Sequence, residues 1–394
     1  MPSSRRTFIK ALGAGGVAAA GLPFVTARGT EALAAARSLT RGAVPHPLDA
    51  TGRLRQQTQA FIPLDSNENP NGASKGALDA VRGALSRAAE YPFEFVEELR
   101  LTIAGVHKVD AECVLVGSGS SEILRMALYA CVTPQKHLVT AAPTYEDPAY
   151  YAQLLGADVQ AVRVDTALRL DLARMATASR GAGLTFLCNP NNPTGTIHPA
   201  NGIADFVRNV RQNSRDTVIL IDEAYHEYVE DPSHRSALPL AVANQNVIVS
   251  RTFSKVFGMA GLRVGYAIAR PEVIAGMLRH RLVHGVNLLG ASAAKACVAD
   301  AAHVASERQL NRAARDYAST WFANAGFQVT PSHANFLMVN IRRDSLSFQY
   351  SCAEQGVLVG RPFPPLNTHA RISIGTMDEM RRSTEVFRRV LLRR

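Results

Sequence analysis

Lys255 is the residue in this chain whose surroundings most suggest covalent chemistry. It sits in Ser250-Arg251-Thr252-Phe253-Ser254-Lys255-Val256-Phe257-Gly258, an apolar and hydroxyl-rich stretch. Partial withdrawal of an amine from water lowers its pKa and makes it a nucleophile toward carbonyls. The hydroxyls of Thr252 and Ser254, with the guanidinium of Arg263 eight residues on, could hold a phosphate beside it. Upstream, Ile221-Asp222-Glu223-Ala224-Tyr225 puts a carboxylate at the end of an apolar run and a phenol three residues later. A buried carboxylate is costly unless a cation faces it, and a protonated ring nitrogen would be such a cation.

Two further motifs offer polar groups on rigid backbone. In Asn189-Pro190-Asn191-Asn192-Pro193-Thr194-Gly195 the prolines restrain the chain around Asn192 and hold its amide in place, as a donor to a phenolate-like oxygen must be held. A plain connector would carry the same residues. Gly117-Ser118-Gly119-Ser120-Ser121-Glu122 joins a strand to a helix, where backbone amides and the hydroxyls of Ser120 and Ser121 can bind phosphate. Taken alone, an ordinary capped helix looks alike. Glu122 breaks the GxGxxG pattern of a dinucleotide site.

These residues need elements to bring them together. From Lys75 to Gly285, runs such as Cys113–Val116, Leu184–Cys188, Val218–Ile221 and Val247–Ser250 alternate with helix-like stretches such as Ser121–Cys131 and Ala200–Arg211. Strands apolar on both faces predict an α/β fold, a mostly parallel sheet covered by helices. Each motif follows one of those strands, and in open α/β sheets ligands sit beyond the strands' carboxyl ends. After Gly285 the pattern predicts a long helical stretch, Ala291–Ala325, then short strands near Asn335–Asn340 and Ala370–Ile374, a smaller α+β domain. The expected division is a leader over 1–34, an arm and part of the small domain over 35–74, a large domain over 75–285 and a small C-terminal domain over 286–394.

The 394 residues are 47% hydrophobic, enough for a large core. The net charge of +10 is spread along the chain with no clustered basic face, which argues against nucleic-acid binding. The five cysteines lie far apart in mostly apolar segments and read as core residues, neither a disulfide frame nor a metal site. Ser4-Arg5-Arg6-Thr7-Phe8-Ile9-Lys10, a weakly apolar stretch from Ala11 to Val25 and the small residues at Ala32-Leu33-Ala34 resemble a twin-arginine export signal with its cleavage site. The implied partner is the twin-arginine export machinery and the implied location periplasmic or extracellular. The apolar stretch is too short and glycine-rich for a stable membrane span.

Asn-Pro-Thr-Gly from Asn192, Asp-Glu-Ala-Tyr from Asp222, and Thr-Phe-Ser-Lys from Thr252 with Arg263, in that order and spacing, resemble the pyridoxal-phosphate enzymes of the aspartate-aminotransferase fold type. Within these, the histidinol-phosphate aminotransferases are the most similar, over about Leu64–Thr376. The resemblance implies a fold-type-I transferase with pyridoxal 5'-phosphate as cofactor. Lys255 would hold the cofactor as a Schiff base and move the proton, and Asp222 would keep the ring nitrogen protonated. Asn192 and Tyr225 would bind the phenolic oxygen, and Tyr145 would stack on the ring. Ser120, Ser121, Thr252, Ser254 and Arg263 would hold the phosphate. Tyr91 would reach the phosphate of the neighbouring subunit, implying a homodimer with shared active sites. Arg371 would clamp the substrate carboxylate, Arg361 would meet a distal anion, and Asn67 would also contact substrate. The chain departs from the family pattern at Asn69-Pro70-Asn71-Gly72, where a tyrosine is usual in place of Asn71.

The expected reaction is transfer of an amino group from an L-amino acid, or a histidinol-phosphate-like amine, to a 2-oxo acid. Decarboxylation or another lyase reaction on the same cofactor is a competing reading, separated by whether oxo acid or carbon dioxide forms. A non-catalytic cofactor-binding protein is a third, marked by no half-reaction with any amino acid.

Overall fold

Alternating residues of the apolar runs part to opposite faces of one sheet. The computed structural model describes residues 61–244 and 246–392. The expected leader, and the arm as far as residue 60, lie outside the described residues. The central strands are β2 (Val114–Gly117), β3 (Leu138–Ala142), β4 (Val159–Arg163), β5 (Leu184–Cys188), β6 (Val218–Asp222), β7 (Val247–Thr252) and β8 (Gly265–Ile268). They form one seven-stranded sheet in the order β2-β8-β7-β6-β5-β3-β4. The β8 strand runs antiparallel to both its neighbours, and the pairings from β7 through to β4 are parallel. The expected mostly parallel α/β architecture is what forms.

Leu115, Phe186, Leu220 and Ile248 pack to one face with helix α3 (Gly119–Cys131). Their strand neighbours Leu187, Ile219, Ile221, Val247 and Val249 pack to the other with α6 (Ala200–Asn213). Strands covered on both sides cannot alternate apolar with polar, hence the unbroken apolar runs. Each such side chain taken fully out of water contributes roughly 1.5–3 kcal/mol.

The helix-like stretch after Gly285 is broken. Helix α9 (Leu288–Cys297) ends before Asp300, whose carboxylate accepts from His303 N at 2.9 Å and caps α10 (Ala301–Asn324). Ala291, Ala294 and Cys297 of α9 share a core with Leu99 and Ile103 of α2 (Phe93–His107), together with Val114 and Val116 of β2. Val304 of α10 still packs against that core, while Ala314, Ala318 and Phe322 join a second one farther along the same helix. Beyond it, β10 (Phe336–Asn340) lies between β9 (Gln328–Thr330) and β12 (His369–Ser373) in a three-stranded antiparallel sheet. The short strand β1 (Ile62–Leu64) pairs in parallel with β11 (Val357–Val359), and Leu64 joins the core of Phe322, Phe348 and Phe387.

All five cysteines are free. Among the described residues, no helix is long and apolar enough to cross a membrane, and no His, Cys, Asp and Glu cluster could hold a metal ion.

Candidate active site

The carboxyl ends of β5, β6 and β7 deliver Asn192, Asp222 and Thr252 to one rim, as parallel strands must. Asp222, the last residue of β6, is 3% exposed, and its Oδ1 has no hydrogen-bond partner. Burial pushes its carboxyl up to about 7. The half-buried Lys255 is drawn down to about 8, first by desolvation, then by the positive charges of Arg371 and Arg263. Its Nζ donates to the carbonyl of Asn67 at 3.2 Å and lies 5.6 Å from the centre of the Tyr225 ring. Tyr225 is buried, which raises its phenol, and its hydroxyl accepts from Asn67 Nδ2 at 3.2 Å.

Asn67 is more central than a substrate contact need be. It is 1% exposed at a φ of +55°, in the left-handed region that asparagine tolerates better than most residues. Its backbone N–H donates to Ser373 Oγ at 2.9 Å, and its Oδ1 accepts from the same hydroxyl at 2.8 Å. Asn335 Nδ2 donates to its carbonyl at 2.9 Å. Asn335 and Ser373 were not expected from the sequence. Ser373 had a legible signal, since it lies two residues from Arg371 on the same strand and so on the same face. Asn335, just ahead of β10, had none.

Arg371 is buried, which pulls its guanidinium down to about 10. Nη1 donates to Asn192 Oδ1 at 2.8 Å and Nη2 to the carbonyl of Asp65 at 2.6 Å, while Nε has no partner. Arg361 lies beside it, with both guanidinium groups on the ring of Phe363 at 4.4 and 4.8 Å. Arg361 also pairs with Glu146, next to the half-buried Tyr145, whose hydroxyl donates to Asp147 at 2.7 Å.

A phosphate cradle is built where α3 begins. Gly119 has a φ of +74°, and a Cβ there would stand 2.4 Å from Arg263 Nη2, so the guanidinium lies directly on the backbone that leads into Ser120 and Ser121. Arg263 Nη1 reaches Ser254 Oγ at 3.4 Å, and Thr252 Oγ1 donates to Ser254 Oγ at 3.0 Å. The helix-start backbone, the hydroxyls of Ser254 and Thr252 and an arginine thus converge, a donor set suited to a phosphate dianion.

Behind these residues, Arg251 donates to Glu223 Oε2 at 2.8 Å and to Glu227 Oε1 at 3.0 Å. Burial favours the neutral form of Glu223, but Arg251 holds its carboxyl below the ordinary value. The pair ties the residue after Asp222 to the residue before Thr252. Tyr91 stands apart from the rest. It is 70% exposed, and its ring neighbours are His284 at 4.7 Å and Phe93 at 6.0 Å.

Asp222, Lys255 and the cradle are thus held on one rim, and most of the chain carries the corresponding family pattern: the class I and II aminotransferase model matches residues 59–387. The chain belongs to the class I and II aminotransferases. The histidinol-phosphate aminotransferase of Moorella thermoacetica is 38% identical over 335 residues, 84% of each chain. That of Symbiobacterium thermophilum is 36% identical over 334 residues, 84% of this chain and 91% of its own. The crystal structure of histidinol-phosphate aminotransferase from Sinorhizobium meliloti, solved with pyridoxal 5'-phosphate, has the same fold, with a TM-score of 0.81 at 24% identity over 90% of this chain and 96% of that one.

Aminotransferases of this class use pyridoxal phosphate, and the residues present fit it. The unpartnered Oδ1 of Asp222 offers a buried acceptor to a ring N–H, and a cationic ring would return that carboxyl to its charged form. Ser120, Ser121, Thr252, Ser254 and Arg263 would hold the phosphate, and Tyr225 and Asn192 the phenolic oxygen. When bound, the cofactor supplies an aldehyde and an electron-withdrawing ring. The aminotransferase chain itself contributes an amine at Lys255 that can exist neutral near pH 8 and carry a proton, and a buried guanidinium at Arg371 that would meet an anion.

Proposed function

We propose that this aminotransferase takes the amino group of an L-amino acid, or of a histidinol-phosphate-like amine, and passes it to a 2-oxo acid. The observation that carries the reading is Arg371. A buried guanidinium with no acidic side chain bonded to it among the described residues is costly to keep unless an anion completes it, and its natural complement is a carboxylate or, in an amine that lacks one, a phosphate. The names of the two relatives support the phosphorylated amine as one of the donors to be tested.

The protein works as a homodimer with shared sites. Tyr91, Phe93, Leu282 and Val283 are each more than half exposed, and Tyr91 and Phe93 gather around His284, an apolar patch of the kind a second copy would cover. It is exported through the twin-arginine route, a reading supported by Arg5-Arg6, Phe8 and the small residues before Ala35.

The test is a half-reaction. Single amino acids and histidinol phosphate are added to the holoprotein, cofactor absorbance is followed, and the released carbonyl product is measured, an oxo acid from an amino acid and a keto phosphate from histidinol phosphate. Conversion with the stoichiometric carbonyl product supports transamination, and carbon dioxide released from an amino acid in its place would overturn it. Lys255→Ala should lower the half-reaction rate by about 10³-fold or more, in the range for loss of a positioned acid–base group.

A further inference from the structure

Transamination obliges one pocket to take two partners in turn, and their side chains need not carry the same charge. Beside Arg371, which faces the common carboxylate in the proposed reaction, stands a second guanidinium on the same Phe363 ring. Arg361 is anchored by its own loop, since Nη1 donates to the carbonyl of Pro362 at 2.9 Å and its side chain is only 20% exposed. Its Nη2 is taken by the carboxylate of Glu146, which is 53% exposed. Among the described residues Arg361 is the only hydrogen-bond partner of that carboxylate.

One partner of the pair is therefore fixed and the other can leave for water. An ion pair this open to solvent is cheap to break. We propose that Glu146 is a specificity-determining residue, an internal stand-in for the substrate's second anion. With a neutral side chain in the pocket, Glu146 stays on Arg361 and leaves no uncompensated cation facing it. With an acidic or phosphorylated side chain, the substrate's anion takes Arg361 and Glu146 swings out. Glu146 follows Tyr145, the residue expected on the ring face, so the exchange takes place at the pocket's edge. The inference rests on the aminotransferase reading and deepens it.

L-glutamate and L-glutamine test it, being alike in shape and different in charge. kcat/KM is measured for each in the half-reaction of the holoenzyme, with wild type, Glu146→Gln and Arg361→Gln. Removing the competing carboxylate should raise the glutamate-to-glutamine ratio about two- to fivefold, chiefly through KM for glutamate. Arg361→Gln should lower the same ratio below wild type. A ratio unmoved or lowered in Glu146→Gln overturns the inference, as does an Arg361→Gln that weakens both donors equally. Absence of a half-reaction in wild type with every donor of the wider amino-acid and histidinol-phosphate panel sinks the transamination reading instead, so the two failures are told apart.

Discussion

Arg371 Nη1 donates to the side-chain oxygen of Asn192 at 2.8 Å, across 179 positions of sequence. One belongs to the small antiparallel sheet and the other to the proline-rich turn after β5. The arginine proposed to meet the substrate and the amide that would meet the cofactor's phenolic oxygen therefore share one hydrogen bond, so substrate binding at the first would bear on the second.

Arg371→Ala should raise KM for an amino-acid donor more than tenfold, since hydrogen bonds to a charged group contribute roughly 1.5–3 kcal/mol each. Arg371→Lys should recover little of this, because an ammonium cannot present a planar fork to both Asn192 and a carboxylate. Half-reaction rates against donor concentration check both.

Asp222 gives the apoprotein a pH signature. Its folded pKa, about 7, lies above the unfolded value, so the folded state holds the extra proton between roughly pH 4 and 7 and stability falls as pH rises through that window. Compared with Asp222→Asn, cofactor-free wild type should lose about 2–4 kcal/mol from pH 4 to pH 8, an upper range set by the size of the shift. Bound cofactor should abolish the difference by pairing the carboxylate. Denaturant melts of apo and holo forms at both pH values decide it.

Much of this was legible in the sequence, for identifiable reasons. Asp222 ends a strand that must be buried, and Asn192 and Lys255 follow two others, so their placement on one rim followed from parallel strand direction. The break at Asp300 was not legible, because a capping aspartate in an alanine-rich stretch does not disturb helical periodicity. The central place of Asn67 was hidden too, since its partners Tyr225, Ser373 and Asn335 come together only when distant parts of the chain pack. Arg361 was expected at a distal anion; its pairing with Glu146 depends on a contact across 215 positions that no local pattern records.

Gly119→Ala should cost the enzyme its cofactor before its fold. The added methyl would stand 2.4 Å from Arg263 Nη2 at a φ that alanine resists, so the guanidinium must move off the cradle. Cofactor affinity should drop about tenfold or more, the loss of one charge-assisted contact. Equilibrium dialysis against free pyridoxal phosphate measures it, and unchanged affinity would remove Arg263 from the phosphate site.

Arg251→Met should destabilise the protein by about 3–5 kcal/mol, because it leaves Glu223 buried without its cation. Thermal melts of the apoprotein report this. The double variant with Glu223→Gln should recover part of the loss, as expected when the damage is an orphaned charge.

The bond from Asn67 N to the Ser373 hydroxyl joins positions 306 residues apart. A nascent chain still lacking β12 therefore has neither Arg371 nor the serine that orients the asparagine under Lys255. The asparagine beneath Lys255 takes up this geometry only after β12 has left the ribosome, so a chain cut before Ser373 would lack it even with every cofactor-facing residue in place.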